Sequence, residues 1–331
     1  ACAKTFQSSS DSTNAFRILS SSGGELFGVD TANSILRLLA NNTGEPLAWS
    51  TGTALPADRE EAASAYANGY VYVMGGSGSN TVYYAKPDTS GNITSWSTAN
   101  PLSTGVNQGA GAAYNGFIYV LGGSSSGSTV STVQFARVQP DGSTSTWSTT
   151  TPLPAARRHG AAVAYNGWMY YIGGGDSSAE EEVYAARINA NGTLGEWQAV
   201  TSLPSIRAGV RAIVVNGYIY AAGGADASVV NDDVYYIKPN ADGTLPSSWT
   251  TNGTTLPANR SAGALGAMNG HLYYIGGHDG TLTYENVYYA PLNADGSVGT
   301  WSTQNTSNDL PAPRDAFAYA QSPIAMYAIG G

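Results

Sequence analysis

The stretch that decides the fold runs from residue 68 to residue 76 and reads Asn68-Gly69-Tyr70-Val71-Tyr72-Val73-Met74-Gly75-Gly76. It combines an Asn-Gly turn, an alternating aromatic strand and a Gly-Gly pair. The phrase returns four times, at residues 115–123, 166–174, 216–224 and 269–277. A degenerate sixth copy ends the chain at residues 324–331. The period is 47 to 54 residues. A repeat of this length built from strands predicts a propeller or a solenoid.

The composition excludes several classes of protein. The chain has 331 residues, a net charge of −9 and only 11% charged residues. The charge is spread along the chain, whereas nucleic-acid binding needs a clustered basic surface. No apolar run approaches the ~18 residues of a membrane span. We therefore expect no nucleic-acid partner and no membrane-spanning segment.

The chain begins Ala1-Cys2-Ala3 without a Met, and Cys2 is its only cysteine. A single cysteine cannot form an intrachain disulfide, so it leaves the redox compartment open. The sequence is rich in Thr, Ser and Asn and poor in Lys. From this composition we expect a processed, exported protein that is secreted or held at the cell surface.

One unit of the repeat shows the expected order of strands. Residues 160–165 predict a first strand, residues 168–172 a second and residues 182–187 a third, and a fourth starts at Trp197. The Asn-Gly dipeptide between the first two strands favours a two-residue hairpin turn, because both of its positions need a positive φ. Four antiparallel strands in an up-and-down meander form one propeller blade.

Three features of the unit resemble the kelch repeat: Gly-Gly after an apolar second strand, Tyr on the third strand, and Trp about twenty residues beyond the Gly pair. The resemblance covers roughly residues 15–331. The Leu-Pro-x-x-Arg loops and Asn-Ala-Asp-Gly hairpins further resemble kelch arrays of bacterial surface and secreted proteins. The resemblance implies an all-β kelch-type β-propeller, which we expect to form one domain over residues 1–331.

The number of blades follows from counting second strands. A degenerate unit precedes the first clear copy, with strands expected at residues 15–20, 25–30 and 35–40. Counting it gives seven blades of four antiparallel strands, with six blades as the alternative. Because the last unit stops after two strands, we predict that residues 1–14 supply outer strands to the closing blade and residues 310–331 its inner strands. Sharing one blade between the termini would remove an open sheet edge.

The loops before the first strands and those between the second and third strands lie on the same face of the propeller. Five equivalent arginines occupy the Leu-Pro-x-x-Arg loops there: Arg59, Arg157, Arg207, Arg260 and Arg314. Just before the inner strands, they are expected to ring the mouth of the central channel. Two interpretations stay open. The arginines bind an anionic ligand such as an acidic sugar, for which the guanidinium fork is suited, or each one braces its own loop.

Four residues that break the repeat are the strongest candidates for ligand binding. Arg211 occupies a first-strand position that is Ala in other units, so we expect its side chain in the channel or its mouth. Arg158 and His159 have no counterpart in the other units, and His278 follows a Gly-Gly pair. Together with the five equivalent arginines, these residues form the predicted ligand-binding set.

The Asp-Gly and Asn-Gly hairpins on the opposite face are expected to be structural. Their Asp and Asn side chains suit the stabilisation of their own turns through the backbone. Calcium loops would need more carboxylates at the right spacing. We therefore expect no metal site and no cofactor.

The kelch resemblance includes enzymes as well as binding proteins. Galactose oxidase resembles this fold, but its copper centre needs a cysteine-crosslinked Tyr, which Cys2 outside the repeat loops does not fit. No nucleotide loop, Ser/His/Asp set or zinc spacing is present. We expect a non-catalytic binding or adhesion module for a protein or glycan partner, with a part in a surface assembly. The alternative is a carbohydrate-active enzyme of the sialate-epimerase-like kelch type that uses the arginine-rich face.

Overall fold

A computed structural model of the chain describes residues 48–226, 229–303 and 308–331, together with four short strands in the preceding segment. These four strands form two separate pairs: β1 (Phe6–Gln7) with β2 (Ala15–Phe16), and β3 (Asp30–Thr31) with β4 (Ser34–Ile35). Apart from these four strands, the residues predicted to form strands at 1–14 and 15–40 lie outside the described residues.

Five four-stranded antiparallel sheets follow, here called blades A to E. Blade A consists of β5 (Ala63–Ala67), β6 (Tyr70–Met74), β7 (Val82–Ala85) and β8 (Ser97–Thr98). Blade B consists of β9 (Ala110–Tyr114), β10 (Phe117–Leu121), β13 (Val133–Arg137) and β14 (Ser148–Thr150), with a small hairpin of β11 (Ser124–Ser125) and β12 (Ser128–Thr129) in between.

The other three blades repeat this arrangement. Blade C consists of β15 (Ala161–Tyr165), β16 (Trp168–Ile172), β17 (Val183–Ile188) and β18 (Leu194–Val200). Blade D consists of β19 (Arg211–Val215), β20 (Tyr218–Ala222), β21 (Val234–Ile237) and β22 (Thr250–Thr251). Blade E consists of β23 (Ala264–Met268), β24 (His271–Ile275), β25 (Val287–Pro291) and β26 (Ser302–Thr303). A two-stranded sheet of β27 (Ala318–Gln321) and β28 (Met326–Ile329) ends the chain.

The strand order predicted for one unit is confirmed in blade C. Its first three strands begin and end within one residue of the prediction, and the fourth begins earlier, at Leu194. Asn166 and Gly167 have φ angles of 50° and 84°, as the predicted two-residue turn requires.

Apolar side chains fill the space between neighbouring sheets. One cluster joins blades A and B and includes Tyr72, Val120 and Trp147. Similar clusters join B to C, C to D and D to E. The two-stranded sheet packs on blade E through Phe317 and on blade A through Tyr327. It therefore lies between the last and the first complete blade and closes a circle.

The Gly-Gly pairs connect each unit to the next one around the circle. The amide of each second glycine donates a hydrogen bond of 2.7 to 3.1 Å to a carbonyl in the loop before the next first strand. We call these contacts the fastener bonds; they run from Gly76 to Val106, Gly123 to Arg157, Gly174 to Arg207, Gly224 to Arg260, Gly277 to Arg314 and Gly331 to Arg59. The last of them joins the C-terminal sheet to the loop that precedes blade A.

The close approach explains why the first residue of each pair is glycine. A Cβ on that residue would lie only 2.2 to 2.7 Å from the carbonyl oxygen to which its neighbour donates. All six first glycines also have positive φ angles, which side chains disfavour. The Gly-Gly signature in the sequence therefore marks the contacts between blades.

Tyrosines make a second set of contacts near the opposite face. A second-strand tyrosine of one sheet donates to the hairpin carbonyl of the next over 2.8 to 3.1 Å, in the pairs Tyr72–Gly142, Tyr119–Gly192, Tyr170–Gly243, Tyr220–Gly296 and Tyr327–Gly91. The predicted role of the hairpin acids is also confirmed. Asp141, for example, accepts from the Ser143 amide at 3.0 Å and from its hydroxyl at 2.7 Å.

The prediction of seven blades is wrong: the described residues contain five complete blades and, in a sixth place of the circle, the two-stranded sheet of β27 and β28. The six-blade alternative, in which the N-terminal unit completes this last blade, rests on residues outside the described ones. The fastener bond from Gly331 to Arg59 joins the end of the chain directly to the unit of blade A. Among the described residues, the two-stranded sheet of β27 and β28 is therefore the direct neighbour of blade A.

Replacing a fastener glycine should cost much more stability than replacing a turn glycine. A Cβ at Gly122 would lie 2.3 Å from the Arg157 carbonyl oxygen, whereas Gly167 has a similar positive φ and open space around it. We expect Gly122→Ala to lower the free energy of unfolding by about 2 kcal/mol more than Gly167→Ala, because overpacking adds to the backbone cost. Urea denaturation of both variants measures the difference, and equal losses would contradict the role assigned to the Gly-Gly pairs.

Candidate functional site

The mouth of the central channel is formed by six residues that we call the mouth ring: Glu61, Gln108, His159, Gly209, Ala262 and Ala316. Each backbone amide donates to the carbonyl of the preceding member over 2.8 to 3.1 Å, and Glu61 donates to Ala316, which closes the circle. All six have φ angles between 50° and 69°, although only one of them is glycine. Non-glycine residues in this region are strained, and such strain is concentrated at functional sites.

One half of the mouth ring carries polar side chains, and the other half carries small side chains or none. Glu61, Gln108 and His159 follow one another around the polar half. The Glu61 carboxylate accepts from the Gln108 side chain at 2.8 and 2.9 Å and from the Asn107 side chain at 3.0 Å. The other three members carry no side chain or a methyl group, so the mouth is open on their side.

A cavity of about 410 Å³ extends from the mouth ring along the first strands of the blades. Its lining includes His159, Arg211, His278, Glu61 and Asp315. Small residues of the first strands provide much of the remaining wall, as the crowding of strands around a common axis requires. The charged and titratable groups therefore meet in one enclosed space.

Arg211 begins the first strand of blade D and lines this cavity, as the sequence predicted. Its Nε donates to the carbonyl of Gly263 on blade E. Among the described residues, no carboxylate forms an ion pair with it. Burial lowers the pKa of the guanidinium, opposed by Tyr274, Asp315 and Glu61. Arg211 is thus a partly buried cation whose terminal nitrogens have no hydrogen-bond partner in the described structure.

His159 lies beside the other three predicted candidates. Burial lowers the pKa of its imidazole below the ordinary value of 6.5. Glu61 opposes this shift, whereas the charges of Arg211, Arg158 and His278 add to it. The other three residues that break the repeat therefore lie within electrostatic reach of His159.

Arg158 and His278 lie at the edge of the mouth. Arg158 contacts the Gln108 side-chain oxygen and the Asp176 carbonyl, both at 3.4 Å. The Gly280 amide donates to Nδ1 of His278 at 3.0 Å, so the neutral ring carries its proton on Nε2. Nε2 lies 4.0 Å from the Asp315 carboxylate.

The five equivalent arginines do not ring the mouth, and this expectation is corrected. None of them lines the cavity. Arg157 is buried and pairs with Glu182 at 3.2 Å, Arg207 pairs with Asp233 and donates to Tyr235 at 3.0 Å, and Arg260 donates to Asn286 at 3.2 Å and to Tyr288 at 2.7 Å. These partners lie at or near the third strand of the same blade.

The remaining two arginines have weaker versions of the same contacts. Arg59 lies over the Tyr83 ring, 5.2 Å from its centroid, and Arg314 donates to the Gly330 carbonyl at 2.7 Å. The backbone carbonyls of Arg59 and Arg314 accept fastener bonds from the preceding unit. Their side chains therefore point towards their own blade or its neighbour. The bracing interpretation describes all five arginines.

Sequence reasoning did not select Glu61, Gln108 and Asp315 as site residues. Glu61 and Gln108 could have been found from the sequence, because they occupy equivalent positions in the repeat. Each mouth-ring residue stands two positions after the arginine of the Leu-Pro-x-x-Arg loop, or after Val106 in blade B. Aligning the units at that position gives three polar residues followed by Gly, Ala and Ala. Asp315 follows Arg314 directly in the sequence.

The buried imidazole of His159 should make stability fall at acidic pH. The unfolded chain binds a proton near pH 6.5 and the folded chain only at lower pH, so acidification below about 6.5 favours unfolding. We expect His159→Gln to reduce the loss of unfolding free energy between pH 7.5 and 5.5, by at most about 1.4 kcal/mol per pH unit. His271→Gln, on the opposite face, is the control and should keep the wild-type slope. Denaturation curves across this range check the prediction, and an unchanged slope in His159→Gln would contradict it.

No helix long and apolar enough to cross a bilayer occurs in the part of the chain that the structure describes. The same residues contain no group of three or more His, Cys, Asp or Glu side chains placed to hold a metal ion. No curated protein matches the sequence. The family model described as the KLHDC2/KLHL20/DRC7 Kelch-repeats domain matches residues 110–331, which is more than half of the chain. With its propeller arrangement of sheets and its Gly-Gly repeats, the chain belongs to this family of kelch-repeat domains.

Proposed function

We propose that the chain is a non-catalytic protein-binding module that captures its partner at the mouth of the channel. The observation that supports this proposal is Arg211, a partly buried guanidinium in a 410 Å³ cavity without an ion-pair partner among the described residues. A cation in such a place gains most from a ligand that brings a carboxylate. Arg211 is therefore the proposed anchor for an acidic group of the partner.

The other charged groups in and around the cavity are less suited than Arg211 to bind an acidic group. The Glu61 oxygens already accept three hydrogen bonds from Gln108 and Asn107, and Asp315 faces His278. Arg158 lies at the rim rather than in the cavity lining. An acidic side chain entering the open half of the mouth would meet at Arg211 a permanent cation with terminal nitrogens that have no partner among the described residues.

A protein partner suits the surroundings of the mouth. The loops on this face are held by isolated bridges to the residues before the first strands, such as Arg158 to Gly175 and Ser261 to His278. Preorganised loops lose little conformational freedom when a partner binds. Kelch propellers act as protein-interaction modules, and rigid loops around a polar cavity fit that use.

We extend the proposal to an exported or cell-surface protein with a role in adhesion or a surface assembly, which the composition alone supports. The second candidate function is a carbohydrate-active enzyme of the sialate-epimerase-like kelch type, or a glycan-binding module. It is favoured by the meeting of His159, His278 and Asp315 with Arg211 in one cavity, since acidic sugars need a cation and sugar chemistry needs acid–base groups.

Selection of random heptapeptides displayed on phage tests the protein-binding proposal. We expect the wild-type chain to enrich peptides that contain Asp or Glu, and Arg211→Ala to bind them about tenfold or more weakly, because a charge-assisted hydrogen bond is lost. Arg187→Ala is the matched control, since this exposed arginine lies over Trp168 near the opposite face. It should bind like the wild type.

Three results would count against the proposal. Enriched peptides without acidic residues, or equal binding by Arg211→Ala at an unchanged melting temperature, would remove the anchor. Competition by millimolar N-acetylneuraminic acid for the same cavity would favour the glycan or enzyme candidate, and turnover of that sugar would favour the enzyme.

A further inference from the structure

The imidazole of His159 lines the cavity without a hydrogen-bond partner of its own. Its backbone is fixed in the mouth ring, because its amide donates to the Gln108 carbonyl at 3.0 Å and its carbonyl accepts from the Gly209 amide at 2.8 Å. The part of the chain that the structure describes supplies no hydrogen-bond partner to either ring nitrogen. Both nitrogens can therefore bind a group that enters the cavity.

The backbone of the mouth ring places His159 close to Arg211. Gly209, whose amide binds the His159 carbonyl, stands only two residues before Arg211 in the chain. The two residues line the same cavity. Burial is the main cause that lowers the pKa of His159, and the charge of Arg211 adds to it. A group bound to Arg211 would therefore lie within electrostatic reach of the imidazole.

Four charged or titratable groups face His159, and they come from four units of the circle. Glu61, before blade A, favours the protonated imidazole. Arg211 of blade D, Arg158 of the loop before blade C and His278 of blade E all disfavour it. Burial and the three basic groups together outweigh the single carboxylate, so the imidazole of the protein alone is mostly neutral at pH 7.

The chain has three histidines, and the other two are placed differently. His271 lies on the opposite face and does not line the cavity. His278 lines the cavity, but its nitrogens already have neighbours. The Gly280 amide donates to its Nδ1 at 3.0 Å, and its Nε2 lies 4.0 Å from the Asp315 carboxylate. His159 is therefore the histidine whose protonation can respond most to a bound group.

A carboxylate bound to Arg211 would change the charge balance around His159. It would bring a negative charge into the space that the imidazole shares with the guanidinium, and a nearby opposite charge favours the protonated form of a histidine. The imidazolium could then donate a hydrogen bond to the carboxylate. Hydrogen bonds between two ionised groups are roughly twice as strong as those between neutral ones.

We propose that His159 is a second binding residue, which takes up a proton when an acidic group of the partner binds Arg211, so that capture strengthens as the pH falls. The sign follows from linkage. The bound form holds more protons than the free form, so the affinity rises towards acidic pH, by at most about tenfold per pH unit for one proton. This inference rests on the proposed function and adds the condition under which the partner is held most tightly.

Proton NMR of the three histidines across the pH range tests the coupling directly, and single His→Gln variants assign the signals. The probe is the most enriched acidic heptapeptide of the phage selection, made with blocked termini. We expect it to raise the pKa of His159 and to leave that of His271 unchanged, because only His159 shares a cavity with Arg211. The same peptide with Asn for Asp and Gln for Glu is the matched control and should change neither.

Binding curves of the acidic peptide at pH 7.5 and pH 5.5 measure the consequence for affinity. The Asp and Glu side chains of the peptide stay ionised at both values. We expect wild-type affinity to be about tenfold higher at pH 5.5. His159→Gln should lose most of this increase, and His271→Gln should keep it. Melting temperatures at both pH values show that each variant is folded.

The remaining outcomes separate this inference from the proposed function. If the wild type binds the acidic peptide equally at both pH values while Arg211→Ala loses it, the coupling to His159 is wrong and the proposed function stands. If His159→Gln keeps the full pH dependence and His278→Gln loses it, the proton binds His278 and the role of His159 is overturned. If Arg211→Ala binds like the wild type at both pH values, both proposals fail.

Discussion

Hydrogen bonds between the backbones of neighbouring units hold this propeller together at two levels. The fastener bonds join each Gly-Gly pair to the loop before the first strand of the next unit. In the mouth ring, six residues with left-handed backbone conformation form a closed circle of hydrogen bonds. Each such bond contributes only about 1 kcal/mol to stability. The positions of these bonds matter more than their summed free energy, because they determine how closely neighbouring blades approach. At six places the approach leaves room for glycine alone.

The backbone hydrogen bonds between units also determine which side chains lie at the mouth of the channel. A backbone circle fixes six positions at the mouth, and the side chains at those positions decide what the mouth can bind. Glu61, Gln108 and His159 fill half of it with polar groups, while the small members leave the other half open above Arg211, His278 and Asp315. The proposed function therefore depends on departures from the repeat, and the repeat itself supplies a scaffold.

Much of the fold could be predicted from the sequence, because strands, turns and Gly-Gly pairs are local signals. Arg211 could be placed in the channel because a long cation among alanines cannot pack elsewhere. The equivalent arginines could not be placed correctly, since the direction of their side chains follows from fastener bonds between units. Glu61 and Gln108 occupy equivalent positions that an alignment of the units would have marked. Their contact could not be predicted in the same way, because it joins residues 47 positions apart and depends on a left-handed backbone.

The circle closes through the mouth ring between the C-terminal sheet and blade A. Hydrogen–deuterium exchange of the mouth-ring amides tests this closure most directly, because the closing bond from Glu61 to Ala316 and the other bonds of the ring can be compared within one molecule. If the circle is closed, the Glu61 amide exchanges as slowly as the amides of His159 and Gly209. Exchange of the Glu61 amide that is about 100-fold faster, as expected for a locally open structure, would contradict closure.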